Sequence, residues 1–258
     1  MDKVLITGGS GKLGTELVRV FPEALHPTRQ ELDLTVKASV DKYIAKEKPD
    51  VVIHAAALTS VPFCEENRKE AYETNVTGTE NLVGACSVHN AKCFFVQIST
   101  ACVFRGDVGN YVETDLPYPK NYYSLTKLLA EFVVKCSRLK SLIVRTNFVA
   151  KEKWPYPRAF VDRYGTYLFA SDVAAAVKSV VKRARAPQGL TGIVHIRGEE
   201  RMSMYEIAKI TTPNVEPMTL AEYHGVPLTV DMTLSSVRLR PFKISARVQT
   251  RKDSALAN

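Results

Sequence analysis

Short runs of consecutive apolar residues alternate along most of the chain with stretches whose apolar positions recur every three to four residues. The runs at 4–6, 51–57, 92–98, 142–145 and 193–196 read as strands buried on both faces, and 24–27 as a weak second strand. The periodic stretches predict helices over 15–21, 36–48, 67–89, 121–136, 171–185 and 203–210. Thr35 and Ser171 stand where N-caps belong, and Asp172 adds an acid to the first turn of its helix. Strands and helices alternating in this way predict an α/β fold with a doubly wound parallel sheet. The pattern breaks over 146–169, where Pro155 and Pro157 each remove a backbone donor and disfavour helix at the preceding residue. With few internal hydrogen bonds, that segment is expected to be mobile. The division that results is a sheet domain over 1–145, a mixed segment over 146–245 and a polar tail over 246–258. The mixed segment completes the sheet and forms a small lobe.

The first apolar run leads directly into Gly8, Gly11 and Gly14, and from there into a helix. Strand, glycine turn and helix in that order form a dinucleotide-binding fingerprint. Gly8 permits the tight turn, Gly11 lets backbone approach a pyrophosphate, and Gly14 lets the helix pack close on the strand. The helix N-terminus offers N–H groups and partial positive charge to the phosphates. The sheet is then of the NAD(P)-binding Rossmann type. A binder of unphosphorylated NAD carries an acid near the end of the second strand; here the chain reads His26-Pro27-Thr28-Arg29. Arg29 can pair with a 2′-phosphate, which favours NADP(H) over NAD(H), a solvent-facing arginine being the plainer alternative. Asp33 reads either as turn chemistry or as a cofactor contact. Ala55, Ala56 and Ala57 end the third strand with side chains small enough for a flat ligand to lie against the backbone. His54, inside the apolar run, reads as a satisfied core histidine rather than a catalytic one.

Tyr123 and Lys127 lie one helical turn apart on one face, downstream of Ser99 and Thr100 at the end of the fourth strand. A tyrosine beside an ammonium is expected to have its pKa lowered toward the working range. The Thr100 hydroxyl is placed to hold a substrate carbonyl oxygen against that phenol. These are the parts needed to donate or accept a proton while a nicotinamide carries hydride. Between them the loop over 101–120 is long for a connector, as functional loops often are.

The formal net charge of +8 changes this picture little, because the basic residues are dispersed except at 182–185 and beyond 238. A solvated helix end and a basic tail account for those clusters without a nucleic-acid partner, and a basic surface suits a polyanionic nucleotide. The five cysteines are odd in number and show no metal spacing, so free thiols and no metal site are expected. No signal segment precedes the first strand and no apolar run approaches membrane-spanning length, so a cytoplasmic protein with no membrane partner is expected.

Segments 8–14, 32–35, 54–57, 75–79, 111–115, 123–127 and 145–147, with Cys64-Glu65, Ser99-Thr100 and Val103-Phe104, resemble the dTDP-4-dehydrorhamnose reductase family of extended short-chain dehydrogenase/reductases. The resemblance implies NADP(H)-dependent reduction of a nucleotide-linked 4-keto-6-deoxy sugar, as in dTDP-rhamnose biosynthesis. It implies Thr100 as substrate-orienting hydroxyl, Tyr123 as general acid, and Lys127 as ribose anchor and pKa modulator. It also implies cofactor contacts from Gly11, Lys12, Leu13, Asp33, Leu34 and Ala55 to Ala57. Two departures bear on the substrate. The family's Asp-Tyr after the Ser-Thr pair is Ala101-Cys102 here, at positions that face the sugar in the family. Asp162-Arg163-Tyr164-Gly165 follows Arg145-Thr146 closely, so the helix between them in the family is missing or reduced and the substrate lobe is small. Phe148 falls where the family places an aromatic against the sugar, core packing being an equal reading. The expected partners are a nucleotide sugar and, as an assembly, a homodimer. The alternatives are a non-catalytic NADP-binding regulatory subunit like the methionine adenosyltransferase β subunit, and a nucleotide-sugar epimerase or dehydratase.

Overall fold

The structure is a computed structural model and describes residues 2–245; the polar tail lies outside the described residues. Its first half runs β1 (Val4–Thr7), α1 (Lys12–Val20), α2 (Lys37–Glu47), β2 (Val51–His54), α3 (Val61–Glu66), α4 (Arg68–Tyr72), a π-turn (Glu73–Thr77), α5 (Gly78–His89) and β3 (Phe94–Thr100). After a 3-10 turn (Ala101–Val103) come α6 (Tyr122–Cys136), β4 (Ser141–Thr146), β5 (Phe148–Val149), β6 (Arg158–Phe160), β7 (Tyr164–Gly165) and β8 (Leu168–Phe169). The remainder is α7 (Ala170–Ala184), β9 (Gly192–Ile196), β10 (Met202–Ser203), α8 (Met204–Thr211) and β11 (Glu216–Met218).

The apolar runs bury both faces of their strands, which a parallel sheet covered by helices on each side satisfies. The sheet order is β1-β2-β3-β4-β9, parallel throughout. Ile6, Ile53, Phe94, Val96 and Val144 pack with Leu17 of α1 and Val173 and Val177 of α7. Leu5, Val52, Phe95 and Ile143 point the other way, toward Ile44 of α2, Leu82 of α5 and Val134 of α6. The strand expected at 24–27 shrinks to one bridge, Leu25 beside Leu5, with the Leu25 and Ile6 N–H groups donating to the Val4 and Leu25 carbonyls at 2.8 Å each. Pro27, which has no N–H, cannot extend that pairing. The chain thus steps to one side of β1 at Leu25 and to the other at β2. That reversal opens a crevice at the carboxyl ends of β1 and β2.

Helix starts differ from expectation where a side chain has a better use. Thr35 does not cap α2; its N–H and hydroxyl both donate to Asp33 Oδ1, at 2.9 and 2.7 Å, and Val36 becomes the N-cap. Ser171 lies inside α7, whose N-cap is Phe169, with Asp172 accepting the Phe169 N–H at 3.3 Å. The stretch expected as one helix over 67–89 is α4 and α5 joined by the π-turn.

Residues 146–169 contain no helix, only short strands, so the small lobe is a set of two-stranded pairs around a third apolar cluster with Val103, Phe104, Tyr167, Phe169, Met202 and Met232. The proline-bearing segment is better tied than its composition suggests. β6 pairs with β11, and the Trp154 N–H donates to Thr212 Oγ1 at 2.8 Å.

A buried ion pair crosses the sheet–helix interface. Glu131 of α6 accepts from Arg145 Nε and Nη2 at 2.9 and 2.6 Å and from the Ser99 hydroxyl at 2.5 Å. Glu131 and Arg145 are each 1% exposed, and the guanidinium lies 4.9 Å from the Phe104 ring centroid. A buried pair of this kind adds little net stability, but removing one partner strands the other charge. Glu131→Gln is therefore expected to lower folding stability by about 3–5 kcal/mol, read as a lower denaturant midpoint. A loss under about 1 kcal/mol would show that Arg145 finds other partners.

Candidate active site

The glycine turn is built by close approach. Gly8 has φ of +74°, and a Cβ there would lie 2.7 Å from the Ala56 backbone. A Cβ on Gly14 would lie 1.9 Å from the Gly8 carbonyl oxygen, so only glycine lets α1 seat on the turn. The Gly11 N–H donates to the Gly8 carbonyl at 3.0 Å, and Gly11 is the N-cap of α1. No side chain caps that helix, so the first-turn N–H groups of Lys12, Leu13 and Gly14 have no side-chain acceptor and suit an anionic ligand. The Leu13 side chain is buried in the core and contributes only backbone here, whereas Lys12 is exposed.

Beside this turn opens a cleft of about 360 Å³, whose walls include Gly8, Arg29, Asp33, Leu34 and Ala56. Ala55 and Ala57 flank Ala56 and are half-buried. Arg29 is exposed, with Nε 3.6 Å from Asp33 Oδ2. The Asp33 carboxyl is held below its usual range, first by the Thr35 hydroxyl, so this acid is tied into its own turn. An uncapped helix end, a glycine cradle that a Cβ would fill and an adjoining cleft together fit a dinucleotide.

The other end of the site is set by β3 and α6. Thr100 closes β3 and accepts the Cys102 N–H at 3.1 Å. Asn121 caps α6, accepting the Ser124 N–H at 2.9 Å and donating to the Pro227 carbonyl at 3.1 Å. Glu65 accepts the Tyr122 N–H at 2.6 Å. Tyr123 is thereby held on the first turn of α6, with its hydroxyl near that of Thr100.

The electrostatics differ from expectation. Burial pushes the Tyr123 phenol above its ordinary value, and the Thr100 hydrogen bond opposes this only in part. Lys127 is not among the groups that bring it down, and its Nζ donates to the Ile98 carbonyl at 2.8 Å. Burial pulls Lys127 down to about 8, with Glu131 opposing. His54 is a core histidine, its ring nitrogens 2.6 Å from Thr7 Oγ1 and 3.0 Å from Thr79 Oγ1, and burial holds it at about 3.

Of the residues expected to face a sugar, Cys102 is half-buried beside Tyr123. Ala101 is fully buried in the third cluster and presents no side chain to a cleft. Phe148 packs against the main core, as the packing reading has it. The sequence reading assigned no role to Asn75 in the π-turn, and the structure gives it one. Its Oδ1 accepts the Leu58 N–H at 2.7 Å, and its Nδ2 donates to the Leu58 carbonyl and to Thr126 Oγ1 at 3.0 and 2.9 Å. Asn75 therefore couples the chain leaving β2 to the helix carrying Tyr123; no spacing or periodicity announces it.

Topology and glycine cradle together define a parallel α/β fold of the dinucleotide-binding Rossmann type. More narrowly, the family model described as RmlD substrate binding domain matches residues 2–164, and the chain belongs to that family. It is 32% identical over 81% of its length to a dTDP-4-dehydrorhamnose reductase of Aggregatibacter actinomycetemcomitans, covering 77% of that protein. It is 26% identical over 96% of its length to the methionine adenosyltransferase 2 subunit beta of Xenopus laevis, covering 85% of it. The fold is shared with the crystal structure of a dTDP-4-dehydrorhamnose reductase from Bacillus anthracis in complex with NADP. The TM-score is 0.86 at 24% identity, covering 98% of this chain and 99% of that one.

The glycine cradle yields a direct test. Gly14→Ala should destabilise the protein by about 1–3 kcal/mol, since the added methyl meets backbone rather than a side chain that can move, and it should weaken nucleotide binding in titrations. Unchanged stability and binding would mean that α1 can shift without consequence.

Proposed function

We propose that the chain is an NAD(P)-dependent oxidoreductase that reduces the 4-keto group of a nucleotide-linked 6-deoxy sugar, with NADP(H) preferred over NAD(H). The observation that carries this reading is the Thr100–Tyr123 hydroxyl pair at the sheet's carboxyl end, on the same edge as the nucleotide crevice. The names of the reductase relatives support the substrate class.

The backbone of Gly11, Lys12 and Leu13 would hold the pyrophosphate, Ala55 to Ala57 the flat part of the ligand, and Arg29 the 2′-phosphate. When bound, NADP(H) supplies the hydride that reaches the keto carbon. Tyr123, held protonated by burial, gives its phenolic proton to the keto oxygen as the alcohol forms. Thr100 fixes the direction of that phenol and orients the keto oxygen. Lys127, one turn further along α6, would hold a ribose hydroxyl. A phenol raised by burial suits reduction, which needs the acid form at neutral pH.

The same relatives include a regulatory subunit, and the Ala101-Cys102 departure fits a chain that binds nucleotide without turnover. NADPH consumption with a panel of nucleotide-linked 4-keto sugars separates the two, since a regulatory subunit consumes none. Tyr123→Phe should lower that turnover by about a hundred- to ten-thousand-fold while NADPH affinity stays within twofold. A mutant that turns over at the wild-type rate removes Tyr123 from the mechanism. Arg29→Ala should cost NADPH, and not NADH, about ten- to a hundredfold in affinity. Equal wild-type affinity for the two cofactors excludes the phosphate role.

Lys127 adds a pH dependence. Binding a polyanion stabilises its protonated form, so the group's pKa rises in the complex. Affinity for NADPH should therefore be fully present below pH 8 and fall as pH passes above about 8, where free Lys127 loses its proton. Lys127→Met should flatten that decline; an identical pH profile in the mutant assigns the titration elsewhere.

A further inference from the structure

Arg163, just before β7, holds a half-buried guanidinium with weak partners. Its Nη1 lies 3.1 Å from Met204 Sδ and its Nη2 3.8 Å from Met232 Sδ, while Nε and Nη2 donate to the Thr229 carbonyl and hydroxyl at 2.9 and 3.3 Å. Among the described residues these partners include no carboxylate. Thioethers are poor acceptors, and a charged donor placed on them keeps capacity for a stronger one. Tyr167, between β7 and β8, is 4% exposed, and its hydroxyl has no hydrogen-bond partner among the described residues. A buried hydroxyl left unpaired is costly, so its retention calls for a reason. Asp231, the acid whose charge reaches Tyr167, is already engaged by Arg201 at 2.9 Å and by the Thr233 N–H at 3.0 Å.

These two donors are linked by packing to the strand end that carries Thr100. Cys102 Sγ is 3.5 Å from Met232 Sδ, the same sulfur that Arg163 touches, and Cys102 follows Thr100 and lies beside Tyr123. Tyr167 and Met232 belong to the apolar cluster against which Cys102 packs. Contacts thus run from Cys102, two residues after Thr100, to Met232, and from Met232 to Arg163, with Tyr167 in the same cluster as Met232.

We propose that Arg163 and Tyr167 form an oxyanion-binding site that holds the anionic part of the nucleotide-sugar substrate. The inference rests on the nucleotide-sugar reading above and assigns the residues that recognise the charge. An oxyanion would replace the thioethers as acceptor for the guanidinium and give the Tyr167 hydroxyl its partner. The oxyanion belongs either to the diphosphate or to a carboxylate on the sugar.

The test is calorimetric titration of the full chain, saturated with NADP, using UDP, dTDP, UDP-glucose and UDP-glucuronate as probes. Arg163→Gln should weaken binding about ten- to a hundredfold, as loss of a charge-assisted contact does. Arg163→Lys, which keeps the charge without the fork, should fall between, and Tyr167→Phe should lose about three- to tenfold. Loss on UDP and dTDP themselves assigns the diphosphate. Loss confined to UDP-glucuronate assigns a sugar carboxylate. NADP affinity and thermal midpoint, measured alongside, identify a variant that fails to fold, in which case Arg163→Lys and Tyr167→Phe decide. Well-folded variants within twofold of wild type for all four probes overturn the proposal, as does a wild type that binds none of them. Because binding is read without turnover, an Arg163-dependent loss would stand even if no keto sugar consumed NADPH.

Discussion

The carboxylate of Glu131, clasped by Arg145 and Ser99 inside the sheet–helix interface, is the contact on which the placement of Thr100, Tyr123 and Lys127 depends. It joins β3, β4 and α6, the strands that end at Thr100 and Thr146 and the helix that carries Tyr123 and Lys127. Two charges in a dry interface restrict how α6 can slide or rotate, because any register that separates them leaves both unpaired. Apolar packing of Val134 and Ala130 alone would tolerate small shifts, whereas a bidentate guanidinium–carboxylate pair does not. Glu131 also sits one turn beyond Lys127 and partly offsets the burial that lowers it. Position and charge of the lysine are thus set by the same side chain.

Around that pin the site is assembled from both ends of the sheet's edge. Asn75 ties the segment leaving β2 to Thr126, so the crevice wall that would receive a flat ligand and the helix that would deliver a proton form one unit. Asn121 and Glu65 hold the start of α6, and Asn121 also donates to the Pro227 carbonyl. The residues that fix geometry are therefore mostly polar and buried, and they lie outside the glycine and tyrosine motifs.

That explains what the sequence made legible. Buried parallel strands and amphipathic helices advertise themselves by period, and three spaced glycines by the steric demand at Gly8 and Gly14. The weak strand at 24–27 does not, because its pairing is reduced to Leu25 and rests on neighbours rather than on its own pattern. Thr35 reads as a cap in isolation but is drawn to Asp33, a local competition that propensity alone does not resolve. The Tyr123 shift runs opposite to the one its spacing to Lys127 suggests, because spacing says nothing of burial. Asn75, Glu131 and Arg163 carry no periodic signal; their partners are distant in sequence and appear only on folding.

The reaction proposed for this edge of the sheet is reduction of a keto carbon. It is tested most directly by supplying NADPH deuterated at the transferable position together with a dTDP-linked 4-keto-6-deoxy sugar and examining the product by NMR. Reduction at this site puts one deuterium on the former keto carbon and a proton on its oxygen. Recovery of the unchanged keto sugar, or of a product without deuterium at that carbon, would contradict it.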